Sequence, residues 1–402
     1  MAKGHGRFVV AHRPWPFPSI SNEIWDEQAS PSPQILASHE AGYHHMIPTS
    51  SALNVTRRCL LALAIWLAPT IVVASAAPQA DLFFTSETLS VSLTAPWREL
   101  VRHKESKSSV AGGLEYATTD GAQVEIPIRI KPRGKHRLET CRFPPLRLKF
   151  QASDVLNTAF AGHDKLKLVT HCSESKAARR WVRKEYLAYR LFAAITDASF
   201  RVRWASIEYV ESAEPERRIT MPAFFIEDTE AAAHRLAMSG VHRARLDAST
   251  LDDYQTSLFV LFQYMIGNTD WSVINGPKGK TCCHNSEPLE SPDHPGRYML
   301  LPYDFDQAGL VNAAYAAPDP RLGISSVRTR LYRGLCRHND QLSAALGQFQ
   351  AQSGAIYAAL EDPLLDSGTR KELRRYVDDF FRQISDTRRV ERELYRTCRG
   401  PH

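Results

Sequence analysis

Two acidic loops beside short apolar segments constrain this chain more than any other feature. Gly267-Asn268-Thr269-Asp270 forms one of them, and the run Tyr298-Met299-Leu300-Leu301 leads into the other, Tyr303-Asp304-Phe305-Asp306. Carboxylates rarely lie beside buried segments without a partner, because burying an unpaired charge is costly. A divalent metal ion and a phosphate would supply that partner. The pattern therefore predicts a fold that brings three carboxylates together at a phosphate-binding site.

Composition sets wide bounds on the rest of the molecule. The chain has 402 residues, 43% of them hydrophobic, which is enough for two or three domains with buried cores. The net charge is +6, and the Lys and Arg residues are scattered along the sequence. No nucleic-acid partner is indicated by this distribution, and an anionic small molecule such as a nucleotide fits it equally well.

The N-terminal part has the pattern of a secretory signal. Arg57 and Arg58 precede an apolar segment that ends in Ala74-Ser75-Ala76. A basic start, an apolar middle and a small-x-small end are typical of a signal peptide. We predict a signal peptide over residues 46–76, export to the periplasm or the exterior, and no membrane span after cleavage. Residues 1–45 would then be a non-native or disordered extension. A membrane anchor is the alternative, because the apolar run approaches the ~20 residues that span a bilayer.

The cysteines beyond the signal segment are even in number. They are Cys141, Cys172, Cys282, Cys283, Cys336 and Cys398. In an exported protein this predicts disulfides, at least one of them among Cys141, Cys172, Cys336 and Cys398. A zinc site at Cys282-Cys283-His284 is the alternative, which we disfavour because metal motifs normally separate their ligands.

Residue periodicity predicts a two-lobed α+β fold. Residues 80–228 are expected to form a β-rich lobe with one long helix, and residues 229–402 a mainly helical lobe that carries the acidic motifs. Alternating apolar residues predict strands at 89–93, 124–130, 146–150, 164–170, 203–211 and 221–227. Helical spacing predicts helices at about 175–196, 229–238, 250–266 and through most of 340–396, with a break at Pro363. Ser249 or Thr250 is the expected cap of the helix over 250–266.

Four blocks, in order, resemble the spore-coat CotH kinase family. They are Arg133-Gly134-Lys135-His136-Arg137, Pro145-Leu146-Arg147-Leu148-Lys149-Phe150, Gly267-Asn268-Thr269-Asp270 and Tyr303-Asp304-Phe305-Asp306-Gln307-Ala308-Gly309. The resemblance covers about residues 120–312 and is closer still to uncharacterised exported bacterial members. It implies an atypical protein-kinase-like fold and metal-dependent phosphoryl transfer from ATP, with Mg²⁺ or Mn²⁺, to a protein or small-molecule acceptor.

The resemblance also implies roles for single residues. Asp270 matches the catalytic base. Asp304 matches the metal ligand, with Asp306 second. A metal-binding Asn is expected soon after the base, and Asn275 and Asn285 are the two candidates, with Asn285 favoured because residues 276–280 look inserted.

The cations of the β-rich lobe complete the expected site. Lys149 lies on a strand, as a phosphate-pairing kinase lysine should. Arg133 and Arg147 support it. Glu185 on the long helix is the candidate partner of Lys149, and an exposed Glu on the helix surface is the alternative.

Two other classes of protein share parts of this pattern. Gly279-Lys280-Thr281 ends like a nucleotide-binding P-loop, but Ile274 stands where the first glycine belongs and two cysteines follow where a helix should begin. A non-catalytic envelope or binding protein on a kinase-like scaffold remains the alternative, because a fold does not fix a function and ATP is scarce outside the cytoplasm.

Overall fold

A computed structural model of the chain describes residues 81–400. The predicted signal peptide over residues 46–76 and the extension before it lie outside the described residues. Within them the protein has a mixed α+β fold. The strands are β1 (Leu89–Ala95), β2 (Val110–Ala117), β3 (Gln123–Pro132), β4 (Leu146–Lys149), β5 (Lys165–Val169), β6 (Val202–Glu211), β7 (Glu214–Ile226), β8 (Ser239–Gly240), β9 (Ser286–Glu290) and β10 (Tyr298–Pro302). The helices are α1 (Trp97–Arg102), α2 (His136–Thr140), α3 (Lys176–Ala193), α4 (Thr229–Arg235), α5 (Asp253–Ile266), α6 (Asn339–Ala351), α7 (Ser353–Leu360), α8 (Ser367–Ser385) and α9 (Thr387–Val390).

The first seven strands close into a barrel in the order β1-β2-β3-β4-β5-β7-β6. Neighbouring strands are antiparallel, except that β1 runs parallel to β6. Side chains alternate across a strand, so every second residue points into the barrel. Ile126, Ile128 and Ile130 of β3 and Leu146 and Leu148 of β4 are buried members of that interior.

The same alternation places cations on the outer surface of the barrel. Arg147 of β4 lies directly opposite Lys167 of β5 in the ladder. Lys167 is nevertheless buried. Its ammonium lies 3.6 Å from the carboxylate of Glu287 on β9, which partly compensates the buried charge. The outer face of β4 and β5 therefore packs towards the second sheet, whose strand order is β10-β9-β8.

Helix α3 matches the helix predicted at about 175–196. The Ser175 hydroxyl accepts a hydrogen bond from the backbone N–H of Ala178 and caps its start. Val182, Tyr186 and Tyr189 face inwards at helical spacing and are buried. The Tyr186 and Tyr189 rings pack against Phe224 of β7. The helix is thereby fixed against the barrel along its length.

Helix α5 is the central helix of the second half. Its side chains from position 255 to 266 are all buried. The cap is the Asp252 side chain, which accepts from the N–H of Gln255 at 2.8 Å. The expected cap at Ser249 or Thr250 is wrong, because these residues belong to a short 3-10 turn that precedes the helix.

The C-terminal region is helical, as predicted, and is broken at residues 361–366 around Pro363. No helix within residues 81–400 is long and apolar enough to cross a bilayer.

Three disulfides link the six cysteines within residues 81–400: Cys141–Cys172, Cys282–Cys283 and Cys336–Cys398. The prediction of a disulfide among Cys141, Cys172, Cys336 and Cys398 is confirmed. Cys282 and Cys283 bond to each other, which removes both thiols from the zinc alternative. They are followed by β9, where a P-loop would open a helix.

Candidate functional site

A glycine cap sets the course of the first acidic loop. Gly267 ends α5 with φ +64°, a left-handed conformation that glycine adopts without strain. A Cβ at this position would lie 2.2 Å from the Tyr376 hydroxyl. The buried Asn268 then accepts a hydrogen bond from the N–H of Asp270 at 3.0 Å. Cap and turn together fix the direction of the Asp270 side chain.

Both carboxylate oxygens of Asp270 have protein partners. Oδ1 lies 2.8 Å from Nε2 of His284, and Oδ2 accepts a hydrogen bond of 3.0 Å from the Asn285 amide. The Asn285 amide also donates to the Asp270 carbonyl at 2.7 Å. The Asp270 side chain is 45% exposed, so it reaches solvent while its orientation is held. The hydrogen bond to Asp270 raises the pKa of His284 despite the opposing effect of burial.

The second acidic loop is joined to the first by main-chain hydrogen bonds. Leu310 donates to the Ile266 carbonyl at 2.9 Å, and Gly309 donates to the Gly267 carbonyl at 3.1 Å. A Cβ at Gly309 would lie 2.3 Å from the Val327 carbonyl oxygen, so this glycine allows the close approach. The two loops thus form one structural unit.

Asp304 and Asp306 leave the end of β10 towards α3. Asp304 has a left-handed backbone with φ +61°, and its N–H donates to the Tyr189 hydroxyl at 2.9 Å. Left-handed backbone is uncommon outside glycine and is frequent at functional sites. Phe305, between the two aspartates, is fully buried and packs on Tyr189. The aspartates are therefore anchored by the packing of α3.

Arg137 of α2 is the hub of the acidic cluster. Its guanidinium donates to Glu185 at 3.1 and 2.8 Å and to Asp304 at 2.9 Å, and its Nε lies 3.1 Å from Asp306. Arg137, Glu185 and Asp306 are buried. Glu185 therefore pairs with Arg137, and the expected pairing with Lys149 is wrong. The reason is that Lys149 lies at the exposed end of β4, where its ladder neighbours are Arg129 and Lys165.

Burial makes two of the three carboxylates around Arg137 bind protons more tightly than usual. Burial, opposed by Arg137, raises the pKa of Glu185 to about 7. Burial and the neighbouring aspartates likewise raise the pKa of Asp306 to about 6. Burial also opposes ionisation of Asp304, but Arg137 and Arg133 outweigh it and hold the pKa of Asp304 below its usual value. A further cation near Glu185 and Asp306 would favour their ionised forms.

Lys167 is the buried lysine of the site. Its ammonium lies 4.5 Å from the centre of the Tyr303 ring and 3.6 Å from Glu287. Burial lowers the pKa of Lys167, and repulsion from Arg133 and Arg147 adds to this effect. Arg133 and Lys167 both help to lower the pKa of Asp304, and Arg147 lies opposite Lys167 in the ladder, so the three form a cationic group beside the acidic loop. Lys149, the lysine that the sequence indicated for phosphate binding, is exposed instead.

The two candidate asparagines lie in different places. Asn285 is buried and holds Asp270, as described above. Asn275 is exposed, and its N–H donates to the Ser272 hydroxyl at 3.1 Å. Of the two, only Asn285 is tied through its side chain to the acidic loops.

A pocket of about 330 Å³ opens on the exposed side of Asp270. His284, Asn275, Gln307 and Arg333 are among the residues that line it. The Arg333 guanidinium donates to the carbonyls of Thr269 and Trp271, on either side of Asp270. The pocket thus places polar side chains around a held carboxylate.

Several residues of this site were missed by sequence reasoning. They are Arg137, Lys167, Tyr189, His284 and Arg333. His284 directly precedes Asn285, and Arg137 is the last residue of the block that begins at Arg133. Both residues therefore lie within motifs that the sequence already indicated. Lys167 shares its strand face with Arg147 once the two strands are paired.

Within residues 81–400, no group of three or more His, Cys, Asp or Glu side chains is arranged to hold a metal ion by itself. A search of protein families found no family model that matches the chain, and a search of curated proteins found no match either.

Proposed function

We propose that this protein is a metal-dependent phosphotransferase with a two-lobed kinase-like fold, exported from the cell, that moves the γ-phosphoryl group of ATP to an acceptor hydroxyl. One observation carries the proposal most strongly. Asp270 is held by His284 and Asn285 and is open to a pocket, and its loop is hydrogen-bonded to the loop that carries the buried acidic cluster of Asp304 and Asp306. A proton acceptor and a cation-binding group side by side are what phosphoryl transfer requires. The three disulfides support export, since such bonds persist in oxidising compartments.

The oxygen donors suit Mg²⁺ or Mn²⁺. Mg²⁺ is usually held by one or two carboxylates together with substrate phosphates and water, so a complete set of protein ligands is not needed. Asp304 and Asp306 would hold the ion, with the amide carbonyl of Asn285 as a further ligand. Asn275, exposed at the pocket rim, is the less suitable candidate. When bound, the ion would neutralise charge on the phosphate groups.

Different residues of the chain would bind the phosphates, accept the proton and orient the base. Lys167, Arg133 and Arg147 would hold the phosphates of ATP, and Lys149 could at most reach them from the edge of the group. The acceptor oxygen bonds to the γ-phosphorus, the bond from that phosphorus to the β,γ-bridging oxygen breaks, and ADP leaves. Asp270 accepts the hydroxyl proton. His284 and Asn285 orient Asp270 for this step.

A second candidate function is binding without catalysis on the same scaffold. The observation that favours it is the ion pair between Arg137 and Asp304 at 2.9 Å, because the protein itself then partly satisfies the proposed metal ligand. A non-catalytic envelope or binding protein could use such a pair for structure alone.

Binding and turnover of ATP separate the two functions. ATP with Mg²⁺ or Mn²⁺ should raise the melting temperature of the full chain, because a ligand of the native state stabilises it. Asp304→Asn should abolish the metal-dependent part of this rise. Asp270→Asn should keep the rise and lower turnover roughly 10²–10⁴-fold, the usual contribution of a general base. Asp293→Asn, at an exposed position in the β9–β10 turn, is the matched control. Wild-type protein that neither binds nor turns over ATP would exclude the phosphotransferase.

A further inference from the structure

Arg333 is a half-buried cation beside the proposed base. Its guanidinium contacts the carbonyls on either side of Asp270 and lies 4.9 Å over the ring of Trp271. These contacts place the positive charge at the pocket wall and leave its position little freedom. Its neighbour Arg321 at the rim is paired with Asp319.

Among residues 81–400, no carboxylate lies within ion-pair distance of Arg333, although Asp270 and Asp319 are near enough to attract its charge. The ion pairs of that part of the chain include none with Arg333, and the Arg333 Nε is buried without a hydrogen-bond partner. Burial lowers the pKa of Arg333 to about 10, Arg399 adds to this effect, and the more distant charges of Asp270 and Asp319 oppose it without offsetting it. A charge in such a place is usually paired, because the unpaired state is costly.

The size and lining of the pocket limit which anionic ligands could pair with Arg333. Its volume of about 330 Å³ is at the lower end of the range for small-molecule sites. The other polar groups, including Asn275, His284 and Gln307, offer hydrogen bonds to hydroxyl groups. An anionic group on Arg333 would hold a neighbouring hydroxyl close to Asp270.

We propose that the acceptor is a small hydroxylated carboxylate whose carboxylate binds Arg333 and whose hydroxyl faces Asp270. The proposal rests on the phosphotransferase function and names its substrate class. The reaction is the transfer written above: the acceptor hydroxyl gains the phosphoryl group, its proton passes to Asp270, and ADP leaves. Arg333 is the residue that determines specificity and takes no part in bond making.

The test compares acceptors that differ in the carboxylate. D-Glycerate, D-gluconate and D-glucuronate are paired with the neutral glycerol, D-glucitol and D-glucose, and ADP release by the full chain is measured with ATP and Mg²⁺. Each anion should exceed its neutral partner in kcat/KM by roughly 10- to 150-fold, the range of a hydrogen bond to a charged group. The same anions, without ATP, should raise the melting temperature more than the neutral compounds do.

Variants assign the effect to Arg333. Arg333→Gln should remove the preference for the anions in both measurements, and Arg333→Lys, which keeps the charge, should retain part of it. Arg218→Gln, at an exposed position on the β6–β7 hairpin, is the matched control and should keep the full preference. The comparison of anionic with neutral acceptors on the wild-type protein tests the acceptor class without any variant, so the test survives if Arg333→Gln misfolds.

The outcomes separate this proposal from the one on which it rests. Wild-type protein that binds ATP but does not distinguish the anions from the neutral compounds, or uses none of the anions, overturns the proposed acceptor class and leaves the phosphotransferase. If wild-type protein does not bind ATP, the phosphotransferase is overturned. In that case, the melting temperatures measured without ATP test whether Arg333 binds a carboxylate, because the anions should raise them more than the neutral compounds do.

Discussion

The guanidinium of Arg137 and the carboxylate of Glu185 form a two-point ion pair, at 3.1 and 2.8 Å, that is buried between α2 and α3. The two residues are 48 positions apart in the sequence. The same guanidinium reaches the acidic loop after β10, so the pair joins the barrel side of the site to its acidic side.

Removal of Arg137 should destabilise the protein strongly. Arg137→Met leaves Glu185 and Asp306 buried without their cation, and loss of one partner of a buried pair costs about 3–5 kcal/mol. Urea denaturation of the variant measures this loss, and the double variant Arg137→Met/Glu185→Met should recover part of it. Arg98→Met provides the control, because Arg98 makes a similar two-point pair with Glu214 at the surface, where a pair contributes about 0–1 kcal/mol. Equal losses for the two arginines would contradict the central role of Arg137.

The acidic cluster should make stability depend on pH. The folded-state pKa values of Glu185, about 7, and Asp306, about 6, lie above the ordinary values of 4.5 and 3.8. The folded protein therefore binds more protons than the unfolded chain between about pH 4 and 7, and these groups lower the free energy of unfolding as the pH rises through that window. Denaturation at pH 5 and pH 8 should show this decline, and Glu185→Gln should reduce it. A decline of the same size in the variant would exclude Glu185 as its source. Saturating Mg²⁺ at pH 8 should also reduce it if the cluster holds the ion.

Turnover should follow the protonation of His284. Its pKa is raised by Asp270, so the imidazolium persists somewhat above pH 6.5 and its charge opposes proton transfer to Asp270. Activity should rise as His284 loses its proton, and His284→Gln should move this rise to lower pH. The pH dependence of kcat/KM measures the shift. An identical profile in the variant would show that His284 does not control the base.

Gly267 should not tolerate a side chain. Gly267→Ala would place a methyl group 2.2 Å from the Tyr376 hydroxyl, at a φ of +64° that alanine rarely adopts. Gly279 has φ +75° with nothing near its Cβ position, so Gly279→Ala measures the cost of the backbone conformation alone. The first variant should lose at least about 1 kcal/mol more stability than the second, since overpacking costs roughly 1–3 kcal/mol. Tyr376→Phe in the Gly267→Ala background should recover part of the loss, and no recovery would argue that the hydroxyl is not the obstacle.

Local pattern was enough to predict much of the fold. Strand β3 alternates isoleucines with other residues, and α3 repeats apolar residues at helical spacing. The spacing in each element predicts which of its faces is buried. The closure of seven strands into a barrel could not be predicted in this way. It depends on pairings such as β1 with β6, which join residues more than a hundred positions apart.

The candidate site was predicted only where its residues lie within one motif. Asp270, Asp304 and Asp306 follow apolar segments and could be recognised locally. Arg137 and Asp304 are 167 positions apart in the sequence. Nothing in the residues next to Arg137 indicates which carboxylate it contacts in the folded protein. Lys149 and Lys167 are equally basic in sequence, and only the packing of β5 against β9 shows which of them is buried.

The two main-chain hydrogen bonds from Gly309 and Leu310 to the end of α5 have a consequence for how the site can be studied. Because backbone atoms set the spacing between the loops, exchanging the Asp270 or Asp304 side chain for a near-isosteric amide leaves that spacing unchanged. A kinetic change in such a variant then reports the lost carboxylate itself, and the effects of the two exchanges can be compared on a common geometric frame.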